Sequence, residues 1–299
     1  MPKKEQQNTH YFEDNNKFKL VAKQSFSLEH VNVPYRAHNP FYHYHDCYEI
    51  YYLFSGERSY FIKDQTYRVE SGTFVLVDHY DIHSTRPSAE QGYERILLMF
   101  KKDFLDGFLE LVNDVDLFSC FDEGVRTIKL SFQEQHYAET LLKNMLKEYQ
   151  TKDVGYESYL KTSLIQLLTF LSRHKEQTEN RPIAHSSSNH KSISEMAGYI
   201  NNHYQEDITL SSICEQFFIS QYYFSRTFKK VTGFTFVEYL NGVRIKEAQK
   251  LLSKTTMSIS DISEAVGYKS ITHFGRTFKN ITGLSPMHFR KLQSSDETS

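Results

Sequence analysis

Ser220-Gln-Tyr-Tyr-Phe-Ser-Arg-Thr-Phe-Lys-Lys-Val-Thr-Gly233 and Ser270-Ile-Thr-His-Phe-Gly-Arg-Thr-Phe-Lys-Asn-Ile-Thr-Gly283 share one pattern, S-x-x-x-F-x-R-T-F-K-x-x-T-G. Such a repeat marks a duplicated structural unit. Upstream of each copy lies a second matched stretch, Leu210-Ser-Ser-Ile-Cys-Glu215 against Ile259-Ser-Asp-Ile-Ser-Glu264. The turn between the stretches is one residue longer in the second copy. Each copy reads as two short helices around a tight turn. Ser211 and Ser260 are expected to cap the first helices, and Ser220 and Ser270 the second. Ile213 with Phe217, and Ile262 with Val266, supply an i, i+4 apolar edge. Gly267 can take a positive φ in the second turn. Phe224 and Phe228, and likewise Phe274 and Phe278, point to one side. Tyr222, Ser225, Arg226 and Lys229, then Thr272, His273, Arg276 and Lys279, are left facing outward.

That outward face suits double-stranded DNA. Arginine bonds bidentately to guanine in the major groove, and a lysine at the helix end meets phosphate. Residues 235–252 read as one longer helix whose Phe236, Leu240, Val243, Ala248, Leu251 and Leu252 pack against both units. Such a spacer can aim both outward faces at successive major grooves. The alternative is a duplicated helix pair with Arg226 and Arg276 merely solvated. Two copies with matched Arg-Thr-Phe-Lys cores favour DNA.

Residues 191–292 resemble the DNA-binding domain of AraC/XylS-type transcription regulators. Ile259-Ser-Asp-Ile-Ser-Glu-Ala-Val-Gly-Tyr-Lys-Ser270, Phe274-Gly-Arg-Thr-Phe-Lys279, Thr282-Gly-Leu-Ser-Pro286 and Phe289-Arg290 are close to that family's signature. The resemblance covers about a third of the chain. It implies seven helices, two of them recognition helices in adjacent major grooves. It carries base or backbone contacts onto Tyr222, Ser225, Arg226, Thr272, His273 and Arg276. At the first position after each cap stand Gln221 and Ile271, and Ile271 can touch only a thymine methyl or nothing. Gly275 removes a side chain where relatives often read bases.

The 299 residues suggest two domains, and 39 % apolar content is enough for packed cores. The formal charge of −2 hides an asymmetry: about +5 over residues 190–292 and about −4 over residues 1–175. The first thirty residues lack the apolar core of a signal peptide, and no apolar run is long enough to span a membrane. Cys47, Cys120 and Cys214 are too sparse for a disulfide framework and suit a cytoplasmic location.

Residues 18–130 are strand-rich. Glu49–Phe54, Ser59–Ile62, Thr66–Val69, Gly72–Val77 and Arg95–Phe100 are short β-branched and aromatic runs between turn signals, as in an antiparallel barrel or sandwich. A short helix is expected over 103–112 and longer ones over 133–150 and 156–174, with Gly155 as the break. The fold class is therefore α+β in two domains: a cupin-like β-barrel with appended helices, then an all-α domain with two helix-turn-helix units. The expected divisions are 1–132 for the barrel, 133–175 for a helical dimerisation region, 176–190 for a linker and 191–292 for DNA binding. The stripe Leu160, Leu164, Leu167, Leu171 is the candidate dimer seam; its alternative is packing against the barrel.

Phe41-Tyr-His-Tyr-His-Asp-Cys-Tyr-Glu49 holds His43, His45 and Glu49 in an H-x-H-x3-E spacing. On a strand, His43 and His45 share a face. With Gly56 and the later Gly72…His83 segment, this resembles the two motifs of the cupin barrel. The resemblance implies His43, His45, Glu49 and His83 as ligands of a divalent metal. The second motif departs from the family, with Asp78-His79-Tyr80 where a proline-containing turn is usual, and His79 is a weaker candidate than His83. Three readings stay open: polar groups satisfied within the fold, contacts for a small effector, or metal ligands. For an effector, His43, His45, Glu49, His83 and Tyr51 are the candidate contacts, and the many tyrosines suit stacking on a sugar ring.

The leading expectation is an effector-responsive transcription regulator, read as an activator, that binds DNA as a homodimer and contacts RNA polymerase. It is not expected to be an enzyme or to have a membrane partner. A cupin-type metal enzyme fused to a DNA-binding domain is the alternative. A regulator controlled by abundance alone is a third option.

Overall fold

Alternating apolar positions in short strands must find a second layer to cover them, and here two sheets cover each other. The computed structural model describes residues 25–296 apart from 36–40, 44, 46, 80, 88–90, 113, 123–125 and 176–187. One sheet has five strands in the order β1 (Phe26–Tyr35), β8 (Gln91–Phe100), β3 (Tyr48–Ser55), β6 (Thr73–Val77) and β9 (Thr127–Lys129). The other has four, β2 (Phe41–His43), β7 (His83–Pro87), β4 (Glu57–Ile62) and β5 (Gln65–Glu70). All the pairings are antiparallel. Tyr51, Leu53, Val75 and Val77 of the first sheet meet Tyr60, Ile62, Tyr67 and Val69 of the second in the barrel interior.

The five-stranded sheet is buried on its outer face too. Ile50, Tyr52, Phe74, Ile96 and Leu98 pack under α1 (Phe132–Thr151) and α2 (Tyr156–Lys175). Two covered faces explain why β3 and β6 are nearly continuous apolar runs rather than clean alternations. Ser131 and Glu134 form a reciprocal capping box at the start of α1. Gly155, at φ 84°, breaks the chain before α2 as its position suggested. The stripe Leu160, Leu164, Leu167, Leu171 is fully buried against the barrel and α1, so it is core and not an exposed seam. The helix expected over 103–112 is instead two 3-10 turns, Lys102–Leu105 and Leu109–Leu111. Phe104 and Leu105 of the first turn point inward, and Gly107 at φ 80° interrupts the path between the two turns. Strands β1, β2, β7 and β9 add to the five read from sequence.

Most of the expected linker lies outside the described residues; its last three residues already belong to α3 (Ser188–His203). Six helices follow: α4 (Leu210–Gln216), α5 (Gln221–Thr232), α6 (Phe236–Lys254), α7 (Ile259–Ala265), α8 (Ile271–Thr282) and α9 (Pro286–Asp296). With α3 these make seven, the number the resemblance implies. Helices α4 and α5 close one core around Phe224, Phe228 and Tyr239, and α7 and α8 close another around Phe274, Phe278 and Phe289. Helix α6 serves both, giving Tyr239 and Leu240 to the first and Ile245, Ala248 and Leu252 to the second.

The caps of α4 and α7 lie two residues earlier than expected. Thr209 accepts from the Ser212 amide and Ser258 from the Asp261 amide, in place of Ser211 and Ser260. The helices start earlier because Leu210 and Ile259 already have helical backbone and pack inward. Ser220 and Ser270 cap α5 and α8 as their sequence positions suggest.

Candidate functional site

Two sites emerge, one inside the barrel and one on the helical domain. Glu49 lies on β3 with Tyr51 and Leu53 on the inward face, and His83 opens β7 opposite Ile62. The two sheets therefore aim Glu49 and His83 at each other. His45 does not share a regular strand with His43: β2 ends at His43, and His45 forms an isolated bridge. The His45 ring lies 2.9 Å from Glu49 Oε2 through Nε2, and His83 Nε2 lies 3.4 Å from the same oxygen. One ligand atom from each of His45, Glu49 and His83 falls within 4.8 Å of the others, and all three residues are buried. His43 pairs with His83 through the β2–β7 backbone, and its side chain lies outside the described residues. His79 turns away, pairing with Asp78 and meeting the edge of Tyr48. Tyr51 packs edge-on to Tyr60 with centroids 5.0 Å apart, and the Tyr60 hydroxyl donates to Glu49 Oε1 at 3.4 Å.

The two rings are anchored alike. His45 Nδ1 lies 2.8 Å from the Cys47 carbonyl and His83 Nδ1 2.8 Å from the Asp81 carbonyl. A carbonyl only accepts, so each Nδ1 carries hydrogen and each Nε2 faces the carboxylate. A neutral Nε2 would point a lone pair at an anion. Positive charge between them removes that conflict, as a proton on Nε2 or as a divalent ion. Burial alone would raise the Glu49 pKa, but His83 and His45 outweigh it and hold the carboxyl well below its usual range. Burial would lower the His83 pKa, and Glu49 reverses that and raises it. Nδ1 bonded to a backbone carbonyl is also the outer support that metal-binding histidines use. The donor set, two imidazoles and a carboxylate, thus fits a divalent ion.

Two largely buried arginines lie near this site, and no motif in the sequence marks them. Arg58 lies with its guanidinium 4.3 Å from the Tyr93 ring centroid, and Arg95 pairs with Glu29 at 3.0 Å and lies near Tyr51. Arg58 stands between Glu57 and Ser59, and Arg95 follows Glu94, so each reads as part of a solvated stretch until strand pairing turns it into the barrel wall.

On the helical domain, Tyr222, Ser225, Arg226 and Lys229 of α5 are exposed, as are Thr272, His273, Arg276 and Lys279 of α8. Phe224, Phe228, Phe274 and Phe278 are fully buried directly beneath. Each helix ends on a glycine in the left-handed region, Gly233 at φ 93° and Gly283 at φ 84°. Thr232 and Thr282 stitch these ends, each donating its hydroxyl to a carbonyl one turn back. Helices α5 and α8 are thus fixed at both termini, and their outer faces are exposed. Ile271 is half exposed, and Gly275 leaves a gap on the outer face of α8. No helix among the described residues is long and apolar enough to cross a membrane.

Two family models match the chain. Residues 25–168 match an AraC-like ligand-binding domain, and residues 213–292 match a helix-turn-helix domain. The chain is 39 % identical over 100 residues to the bifunctional transcriptional activator/DNA repair enzyme AdaA of Bacillus subtilis, covering 33 % of this chain and 47 % of that protein. It is 25 % identical over 261 residues to the HTH-type transcriptional activator RhaS of Pectobacterium atrosepticum, covering 85 % and 89 %. It is 33 % identical over 100 residues to the melibiose operon regulatory protein of Escherichia coli, covering 33 % of each. The matches to AdaA and to the melibiose regulator thus span less than half of those proteins. Among solved structures, an apo form of a ToxT variant from Vibrio cholerae aligns over 91 % of this chain and 99 % of its own, at 14 % identity and TM-score 0.38. An AraC-like ligand-binding domain ahead of a duplicated helix-turn-helix domain places this chain in the AraC/XylS-type family of transcription regulators.

Proposed function

We propose that the chain is a sequence-specific DNA-binding regulator whose two recognition helices enter successive major grooves, and whose barrel takes a small effector. The observation that supports DNA binding is the pair of capped helices with eight open polar positions over buried phenylalanines, held by the shared helix α6. In this reading Arg226 and Arg276 contact base edges, Tyr222, Ser225, Thr272 and His273 line the groove, and Lys229 and Lys279 meet phosphates. The test is selection of bound duplexes from a random pool by the full chain, followed by affinity measurement at fixed salt. No duplex retained at low ionic strength overturns the reading.

The effector reading is supported by convergence of His45, Glu49, His83, Tyr51 and Tyr60 in the interior, with His43 on the adjoining strand. Carbohydrate is the favoured class, since rings of tyrosine suit stacking on sugars and one relative is named for a melibiose operon. Activation is the favoured sign, because AdaA and RhaS are both named as activators. Homodimer formation and contact with RNA polymerase complete this reading, and we take the chain to be cytoplasmic and not an enzyme. A second reading places a divalent ion on His45, Glu49 and His83, with His43 as a fourth ligand; the two anchored Nδ1 atoms favour it. Metal analysis of protein purified without chelator separates the two. Stoichiometric zinc, manganese or iron lost in Glu49→Gln supports the ion, and its absence leaves the effector reading alone.

A further inference from the structure

The helical domain is docked on the barrel, and one acidic side chain lies at the centre of the dock. Asp81 is almost fully buried, in the loop before β7. Its carboxylate pairs with Lys246 of α6, with Arg126 at 3.1 Å and with Lys63 at 3.8 Å. Lys63 lies in the β4–β5 turn at φ 54°, and its carbonyl accepts from the Tyr239 hydroxyl of α6 at 2.6 Å. Beside these groups Phe61 and Ile82 enter the core of the first helix-turn-helix unit. Farther along β7, Arg86 donates to the Lys229 carbonyl at the end of α5. Among the described residues, the core of the second unit contains none from the barrel. A cleft of about 380 Å³ lines this boundary, with Asp64, Tyr67, Asn201 and Lys250 among its walls.

The acidic pin is also tied to the barrel site. The Asp81 carbonyl holds the His83 ring, whose other nitrogen faces Glu49. Only Ile82 separates them, and Ile82 itself sits in the dock. We propose that the Asp81–Ile82–His83 segment is a latch coupling occupancy of the barrel site to docking of the DNA-binding domain, with Lys246 as its catch. This rests on the effector reading above. Anything that draws the His83 ring toward or away from Glu49 pulls on the Asp81 carbonyl. The Asp81 carboxylate and the Ile82 side chain move with it. A packed interface with a buried ionic centre answers such a shift by holding or releasing, not by stretching. The coupling is reciprocal, so DNA on the helical domain also biases the barrel site.

The test uses the full chain with Asp106→Cys and Lys254→Cys, both exposed, to carry spin labels; Cys47, Cys120 and Cys214 are buried. The parent is expected to give one narrow label-to-label distance. Lys246→Met removes the catch without touching the barrel site, and Asp81→Asn removes the charge at constant shape. Each should add a broad, longer population and raise cleavage between the domains by about tenfold, since a buried pair that loses one member is strongly weakened. His83→Gln should populate the same broad state, and the double variant with Lys246→Met should go no further. Parent-like distances in both Lys246→Met and Asp81→Asn overturn the latch. A parent-like His83→Gln beside an opened Lys246→Met overturns the coupling. Duplex binding of every form is measured in parallel. A parent that binds no duplex overturns the regulator reading, and the distances still judge the latch.

Discussion

Gly267→Ala puts the helix-turn-helix geometry to a quantitative test. Gly267 follows the end of α7 at φ 87°, and its amide bonds to the Glu264 carbonyl while the Tyr268 amide bonds to that of Ser263. This is a Schellman closure, which needs a left-handed residue. A Cβ there would stand 2.7 Å from the Gln205 carbonyl oxygen, 2.8 Å from that of Tyr204 and 2.9 Å from Arg244 Nη2. Two of those atoms are backbone, and the Tyr204 carbonyl is itself held by Arg244 Nε at 2.8 Å. The left-handed conformation costs an L-residue about 1–2 kcal/mol. Shifting the neighbouring backbone adds about 1–2 kcal/mol more. The loss, about 2–4 kcal/mol, corresponds to amide exchange in α7 and α8 faster by about 30- to 700-fold. Hydrogen exchange with mass readout of the full chain measures this unit by unit. Exchange within threefold of the parent in α7 and α8 refutes the close-approach reasoning. The first unit supplies the opposite case. Phe218 holds the equivalent turn position at φ 53° with its ring 95 % exposed. Phe218→Gly should therefore stabilise α4 and α5 by about 0.5–1 kcal/mol, the left-handed penalty less the chain entropy of glycine.

Arg226→Ala and Arg276→Ala should each weaken specific DNA binding by about 1–3 kcal/mol with unchanged thermal midpoints, as read by fluorescence anisotropy and differential scanning calorimetry. Lys229→Ala and Lys279→Ala should weaken binding to all sequences alike and reduce the slope of log affinity against log salt by about one each; sequence-selective losses contradict the phosphate assignment. Glu49 has a lowered pKa, so its contribution is present above its ordinary value of 4.5 and is lost as pH falls through the lower folded value. His83 has a raised pKa, so its contribution is present below its ordinary value of 6.5 and is lost as pH rises through the higher folded value. Barrel stability in urea should therefore be greatest between those two ordinary values, and Glu49→Gln should flatten both limbs. A parent profile that already matches Glu49→Gln removes the ion pair from the account.

The sequence disclosed elements wherever local chemistry and burial agree. Phe224, Phe228, Phe274 and Phe278 repeat at helical spacing and are all fully buried, so α5 and α8 were legible. Strands β3 and β6 were legible from β-branched and aromatic residues, although both faces are covered. Strand β7, His83-Ser-Thr-Arg-Pro87, was missed because its polar letters are ordered by pairing with β2 and β4, not by their own propensity. Helix was expected over 103–112 because its apolar residues recur at helical steps, but Gly107 at φ 80° allows them to turn inward without one. The stripe of α2 showed that a surface was covered and not by what; the barrel lies there. In the barrel site, H-x-H-x3-E named the donors but not that His45 leaves the strand to meet Glu49. Asp81 and Lys246 were invisible as a pair because they lie 165 positions apart and meet only across the domain boundary.

The two copies of the helical unit keep different things alike for different reasons. Phenylalanines, caps and the Thr-Gly ends recur because each unit must close a core and end its helix in the same geometry. Outward positions face no such demand, and they have diverged: Gln221 against Ile271, Tyr222 against Thr272, Tyr223 against His273, Ser225 against Gly275. Only the arginine and the following lysine recur there, at positions suited to guanine and phosphate. Stability is thus common to both units, and what they read is not. The first offers an amide, two phenols and a hydroxyl, and the second an isoleucine, a hydroxyl, an imidazole and a gap. A site bound by both must then consist of two unlike halves, because one rigid α6 delivers two different surfaces to it. Among the described residues the barrel gives side chains to the core of the first unit and none to that of the second, which leans on α6 and on the Tyr204–Asp207 segment of the first unit, so the barrel holds one half directly and the other at one remove.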